Sequence, residues 1–109
     1  MYPLVLTSGE VNSILDGGLR EIYRVDGSWL RWQIGNEFYV QESFDLEPDI
    51  RDGEIAYYRA NYPNSGWRDW QLPRYMPERH SRLRLRLLEV RREKIDSVWH
   101  HHLTIERLV

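Results

Sequence analysis

All but one of the fifteen cationic side chains in this chain are arginines, and they crowd the stretch "WRDWQLPRYMPERHSRLRLRLLEVRR", Trp67 to Arg92, which holds no lysine. A guanidinium grips phosphate or carboxylate through two parallel hydrogen bonds and stacks on aromatic rings, which an ammonium does not. Arg82, Arg84 and Arg86 recur at every second position, so a strand there would set three guanidinium groups on one sheet face, about 6.5–7 Å apart. That interval is close to the phosphate repeat of a nucleic-acid strand. Trp67, Trp70 and Tyr75 lie just upstream and offer stacking surfaces for unpaired bases. A competing account is internal. The acidic segment that holds Asp45, Glu47, Asp49, Asp52 and Glu54 could fold over the same arginines, and Trp67 and Trp70 could plug one end of the fold. Both accounts stand at this point.

Other chemistry finds less support. His100 and His102 share a strand face, but two imidazoles without a third ligand make a weak metal site, and exposed strand histidines explain them equally well. Ser81 follows His80 directly, and extended backbone would point the two side chains apart, against a nucleophile and base pair. With no cysteine, disulfides, thiolate catalysis and the commonest structural-zinc ligands are excluded. The glycines after Asp16 suit a helix stop better than a phosphate loop. No cofactor is expected.

The elements that must position these residues are mostly strands. At 109 residues the chain suits one domain, 1–109. No apolar run approaches the roughly 18 residues of a membrane span, and the N-terminus lacks a basic flank, so a cytoplasmic protein without a membrane partner is expected. Thr7 and Glu10 form a capping box for a short helix within Ser8 to Asp16, stopped by Gly17 and Gly18. "REIYRV", "WLRWQI", "GNEFYVQESF", "IAYYRA", "RLRLRLLEVRR" and "VWHHHLTIERLV" read as strands. Pro48 and Gly53 break the pattern in "DLEPDIRDGE", which is expected to be an acidic loop, and Pro73 and Pro77 should hold the following twenty-residue connection extended. The reading is mainly β (α+β): a small closed or nearly closed β-barrel with one short N-terminal helix. Charge is uneven, with four arginines against eleven acids in residues 1–56 and eleven cations against six acids in 57–109. Either the two halves attract one another or one face meets a polyanion.

The succession "PLVLTSGEVNSILDGG", "IGNEFYVQESF", "YYRA", "GWRDWQLPRYMPERHSRLRLRLLEV" and "EKIDSV" resembles the ASCH domains of the PUA-like superfamily, particularly the phage and prophage versions. The likeness runs from Pro3 to about Val98, and "MPERHSR" is its most specific piece. It implies a β-barrel with a cleft beside the first helix, associated with RNA or modified nucleosides, and the host cytoplasm as location if the chain is phage-encoded. Some members hydrolyse acetylated cytidine with a lysine and a threonine just after the helix glycine and a carboxylate across the cleft. Here Leu19 fills the lysine position, which offers no nucleophile or base. Glu42 matches a glutamate of the phage versions and is the candidate cleft carboxylate, or else the ion-pair partner of an arginine from the long connection. The resulting expectation is a non-catalytic module that binds RNA or another single-stranded nucleic acid through Arg20, Arg24, Trp67, Arg74, Tyr75, Arg82, Arg84 and Arg86. The alternative is an interaction factor that engages a host or phage protein. A residual amidohydrolase built on Arg20 and Glu42 ranks behind both.

Overall fold

The computed structural model describes residues 1–18, 20–25, 31–49, 51, 53–62, 64, 66 and 68–108. Leu19, Asp52, Trp67 and the first two residues of the expected "WLRWQI" strand lie outside the described residues. In chain order the elements are β1 (Tyr2–Val5), α1 (Ser8–Leu15), β2 (Glu21–Val25), β3 (Glu37–Gln41), β4 (Phe44–Asp49), β5 (Gly53–Tyr58), β6 (Arg84–Ile95) and β7 (Val98–Arg107). The mainly β expectation with one short helix holds among the described residues.

Five strands form one sheet in the order β1-β3-β6-β7-β2, in which β1 runs parallel to β3 and the other neighbours are antiparallel. β4 and β5 form a separate hairpin. Neither sheet closes on itself, so the barrel expected from the strand count is open. α1 packs on the five-stranded sheet through Val11 and Ile14, which join Leu4, Ile22, Phe38 and Val40 in the core. Arg24 on β2 reaches β1, with Nη2 donating to the carbonyl of Val5 at 3.2 Å.

The capping box forms as its residues demand: the Glu10 amide donates to Thr7 Oγ1 at 3.1 Å and the Thr7 amide to Glu10 Oε1 at 3.0 Å. Gly17 ends the helix at a φ of +81°, where a side chain would be strained. Alternation in β6 buries Leu85 and Leu87 against the core, with Leu83 just ahead of the strand. The doubled leucine then breaks the period. The register shifts between Leu87 and Glu89, leaving Leu88 as the extra residue of a bulge, 45% exposed, and Val90 resumes the inward face. The β6–β7 hairpin turns through Asp96 and Ser97 at φ values of 48° and 67°, the left-handed pair that two-residue hairpin loops require.

The acidic segment is a hairpin rather than a loop. Pro48 lies on a two-stranded ribbon, where its missing N–H costs little, and Gly53 supplies a φ of +85° after the turn. The long connection is not extended either. Pro73 starts a 3-10 turn over Pro73–Tyr75, and Pro77 precedes another over Glu78–His80, because the fixed φ of proline suits the first position of a helical turn. Gln41 pins this segment: its Nε2 donates to the carbonyls of Arg74 at 3.3 Å and Met76 at 3.1 Å, beside the buried Met76 side chain.

Candidate nucleic-acid interface

The N-terminus of α1 borders an open groove of about 600 Å³. Its floor is Val5 and Leu6. The hydroxyls of Ser8 and Ser43 and the guanidinium groups of Arg24 and Arg59 line it, and Pro73 stands at one side. Arg24 is fixed there by Glu10, with Nη1 to Oε2 at 2.8 Å and Nη2 to Oε1 at 2.9 Å. Burial alone would raise the Glu10 carboxyl, but the hydrogen bonds from Arg24 and Thr7 outweigh it and hold the group below its ordinary value of 4.5. Glu10 therefore caps the helix and neutralises Arg24 at once. Arg59 is placed by its amide, which donates to the carbonyl of Ser43 at 3.0 Å. Its side chain is exposed, and among the described residues it has no carboxylate within 4 Å.

Beyond Pro73 the chain presents Arg74 and Tyr75 together. Arg74 Nη2 donates to the Tyr75 hydroxyl at 3.0 Å, with the guanidinium carbon 4.9 Å from the ring centroid. Tyr75 is 59% exposed. An exposed phenol ring with one guanidinium at its side, itself without a carboxylate partner among the described residues, can stack on a base and meet its phosphate.

Behind the groove, Glu42 is wholly buried and both its oxygens are occupied by Arg82: Nε donates to Oε2 and Nη2 to Oε1, each at 3.0 Å. Arg82 stacks on Tyr58 at 4.3 Å from the ring centroid and gives Nη1 to Asn61 Oδ1 at 3.1 Å. Tyr58 donates to the carbonyl of His80 at 2.6 Å. Burial, then the Glu42 charge, raise the Tyr58 hydroxyl above its ordinary 10.0, against the opposing effect of Arg82. Ser81 is equally committed, with Oγ donating to the carbonyl of Val40 at 2.8 Å, and His80 Nε2 meets Glu54 at 3.0 Å. No nucleophile and base pair arises from these residues.

The arginine ladder loses one rung and shares another. β6 begins at Arg84, so Arg82 precedes the strand and turns to Glu42. Arg86 stands directly across from Glu37 on β3 and Glu106 on β7, each 3.7 Å away. Arg84 pairs in register with Tyr39 and has no ion pair among the described residues. The acidic hairpin does neutralise arginines, but those of the connection: Arg68 meets Asp45 at 3.1 Å and Glu47 at 3.3 Å, and Arg79 meets Glu54 at 2.9 Å. Arg20 lines a different opening, at the far end of α1, and does not meet Glu42. Trp67 lies outside the described residues. Sequence reasoning missed Arg59, Asn61 and Tyr58; nothing in their local pattern marks them, since only the fold carries them to the helix N-terminus and to Glu42.

On the outer face of β2 and β7, the Tyr23 hydroxyl meets His100 Nδ1, and His102 Nδ1 lies 3.1 Å from Glu21, which also attracts Arg91 at 3.6 Å. His101 points the other way and is fully buried. Among the described residues no three His, Cys, Asp or Glu side chains are grouped to hold a metal ion, and no helix is long and apolar enough to cross a membrane. Comparison with family models, with curated proteins and with solved structures gives no match.

Proposed function

We propose that this chain is an ASCH-like module that binds RNA or another single-stranded nucleic acid at the α1 groove, without catalysis. The observation that carries the reading is the exposed Arg74–Tyr75 pair beside a groove whose walls hold the unpaired Arg59 and the hydroxyls of Ser8 and Ser43. These are the parts that single-strand binding uses: a ring for a base, cations for phosphates, and hydroxyl donors between them. Among the described residues no basic helix of the kind that enters a major groove is present, which favours single-stranded or structured RNA over duplex DNA. Glu42 has no free oxygen with which to act as a base, in keeping with Leu19 at the position where the matching enzymes carry lysine. If the chain is phage-encoded, as the resemblance implies, the module would work in the host cytoplasm.

Fluorescence anisotropy with a labelled single-stranded RNA at two salt concentrations tests this. Tyr75→Ala should weaken binding by about tenfold or more, the size of one lost base stack. Arg59→Gln should lower the salt slope by about one, whereas Arg86→Gln, already neutralised by Glu37 and Glu106, should barely alter it. No binding by the parent protein to RNA, single-stranded DNA or duplex DNA at low salt would sink the reading.

A second reading, an interaction factor for a host or phage protein, has one observation of its own. Ile95 and Val98 face each other across the β6–β7 turn and are 44% and 43% exposed, an apolar tip on the longest hairpin described. Ile95→Ser with Val98→Ser would then abolish partner capture while leaving RNA affinity intact.

A further inference from the structure

At the other end of α1, away from the α1 groove, lies an opening of about 490 Å³ that the RNA reading does not use. Its floor is hydrocarbon, from Ile14 of α1, Ile105 of β7 and Leu88. Its polar lining is Arg20, Arg107, Thr104 and the acid Glu106. Three local features make the opening. The helix stops at Gly17, where an added Cβ would meet nothing within 4 Å, so the mouth stays clear. The amide of Ile105 donates to the carbonyl of Arg20 at 2.9 Å and ties that arginine's backbone to β7. The bulge after Leu87 leaves Leu88 outward and 45% exposed.

The charge around this floor is unbalanced. Among the described residues neither Arg20 nor Arg107 has a carboxylate within 4 Å. The acid beside them, Glu106, leans to Arg86 at 3.7 Å. Two guanidinium groups without a carboxylate within 4 Å, against one lining acid that leans to Arg86, leave a positive excess beside an apolar floor, and this matches a ligand with one anionic end and a short hydrocarbon body. A carboxylate fits a guanidinium bidentately, and the floor rewards burial of the body while giving a bare hydrated anion nothing.

We propose that this opening binds a carboxylate borne on a small aliphatic body, supplied either by a short fatty acid or by the C-terminal residue of a peptide. Titrations of the full chain followed by amide ¹H–¹⁵N spectra test it with four probes: hexanoate, hexanamide, acetyl-Ala-Leu with a free carboxylate, and inorganic phosphate. At about 10 mM probe, the first and third should move the amides of Ile14, Gly17, Leu88 and Ile105, and the tighter of the two names the source. Hexanamide and phosphate should leave those amides in place. Arg107→Gln, an exposed change that does not threaten the fold, should weaken the binding about tenfold, and Leu88→Ser should weaken hexanoate binding severalfold. The proposal is overturned if hexanamide or phosphate acts as strongly as hexanoate, if Arg107→Gln has no effect, or if neither carboxylate moves these amides. Because the RNA groove lies at the opposite end of the helix, either site can fail without the other.

Discussion

Glu42→Gln takes one charge from a pair in which both carboxylate oxygens accept from Arg82 at 3.0 Å and the Glu42 side chain is only 1% exposed. Removing one partner of a fully buried ion pair costs about 3–5 kcal/mol, because the other charge is left desolvated and alone. Arg82 is less extreme. Its side chain keeps 21% exposure, its Nη1 retains Asn61, and its face retains the Tyr58 ring. Water can reach it in part, and the expected loss is about 2–4 kcal/mol. For a domain near this size that is roughly 10–20 °C in Tm. Urea unfolding followed by tryptophan fluorescence measures the loss directly, and Arg82→Met alone and combined with Glu42→Gln completes a double-mutant cycle. The two changes should be strongly non-additive, since the double variant leaves no orphaned charge. A loss under about 1 kcal/mol for Glu42→Gln, or additivity within about 0.5 kcal/mol, would show that the pair does not hold these strands together.

Thr7→Ala should cost about 1 kcal/mol through the lost helix cap, read from the same urea curves, and an unchanged midpoint would refute the capping role. Ser97→Gly should raise Tm by a few degrees, because a serine at a φ of 67° bears a left-handed cost of about 1–2 kcal/mol that glycine avoids, less the entropy glycine adds to the unfolded chain. Tyr58 has its folded pKa raised above 10.0, so it favours the neutral phenol. Its contribution to stability is present below pH 10 and is lost as pH rises through the raised folded value, and absorbance at the phenolate band should show a step above pH 10 that Tyr58→Phe removes. A phenolate titration whose upper limb is unchanged in Tyr58→Phe would contradict this.

How much of this was legible in the sequence follows from the range of each interaction. The helix was readable because its cap acts over three residues, Thr7 to Glu10, and strands β6 and β7 because burial alternates with period two. The bulge was missed, although the doubled leucine at 87 and 88 could have marked it, since two successive apolar residues cannot both face inward in a regular strand. The β4–β5 hairpin was misread because Pro48 and Gly53 break central strands, and nothing local says that this ribbon has only two members. The barrel was read as closed or nearly closed because strand count does not determine whether the first and last strands meet; here the five-stranded sheet keeps β1 and β2 as edges.

The arginines show where local reading ends. Their spacing allowed a phosphate ladder, but partner choice was decided by which carboxylates the register delivers. Arg82 receives Glu42 from 40 residues away. Arg86 receives Glu37 and Glu106 from its two neighbouring strands. The uneven charge of the two halves now has a physical meaning. Arg68, Arg79, Arg82, Arg86 and Arg91 of the cationic half meet Asp45, Glu47, Glu54, Glu42, Glu37 and Glu21 of the acidic half. Much of the dense run is thus spent holding the chain to itself. The exposed pairs among them contribute little each, but all of them remove guanidinium groups from the reach of a polyanion. Among the described residues, Arg20, Arg31, Arg51, Arg59, Arg74, Arg84, Lys94 and Arg107 have no carboxylate within 4 Å, and Arg20, Arg59, Arg74 and Arg107 stand at or beside one of the two openings flanking α1. A ligand drawn to the positive charge around α1 therefore has two addresses, one at each end of the helix, and the apolar lining of the second distinguishes what each will accept.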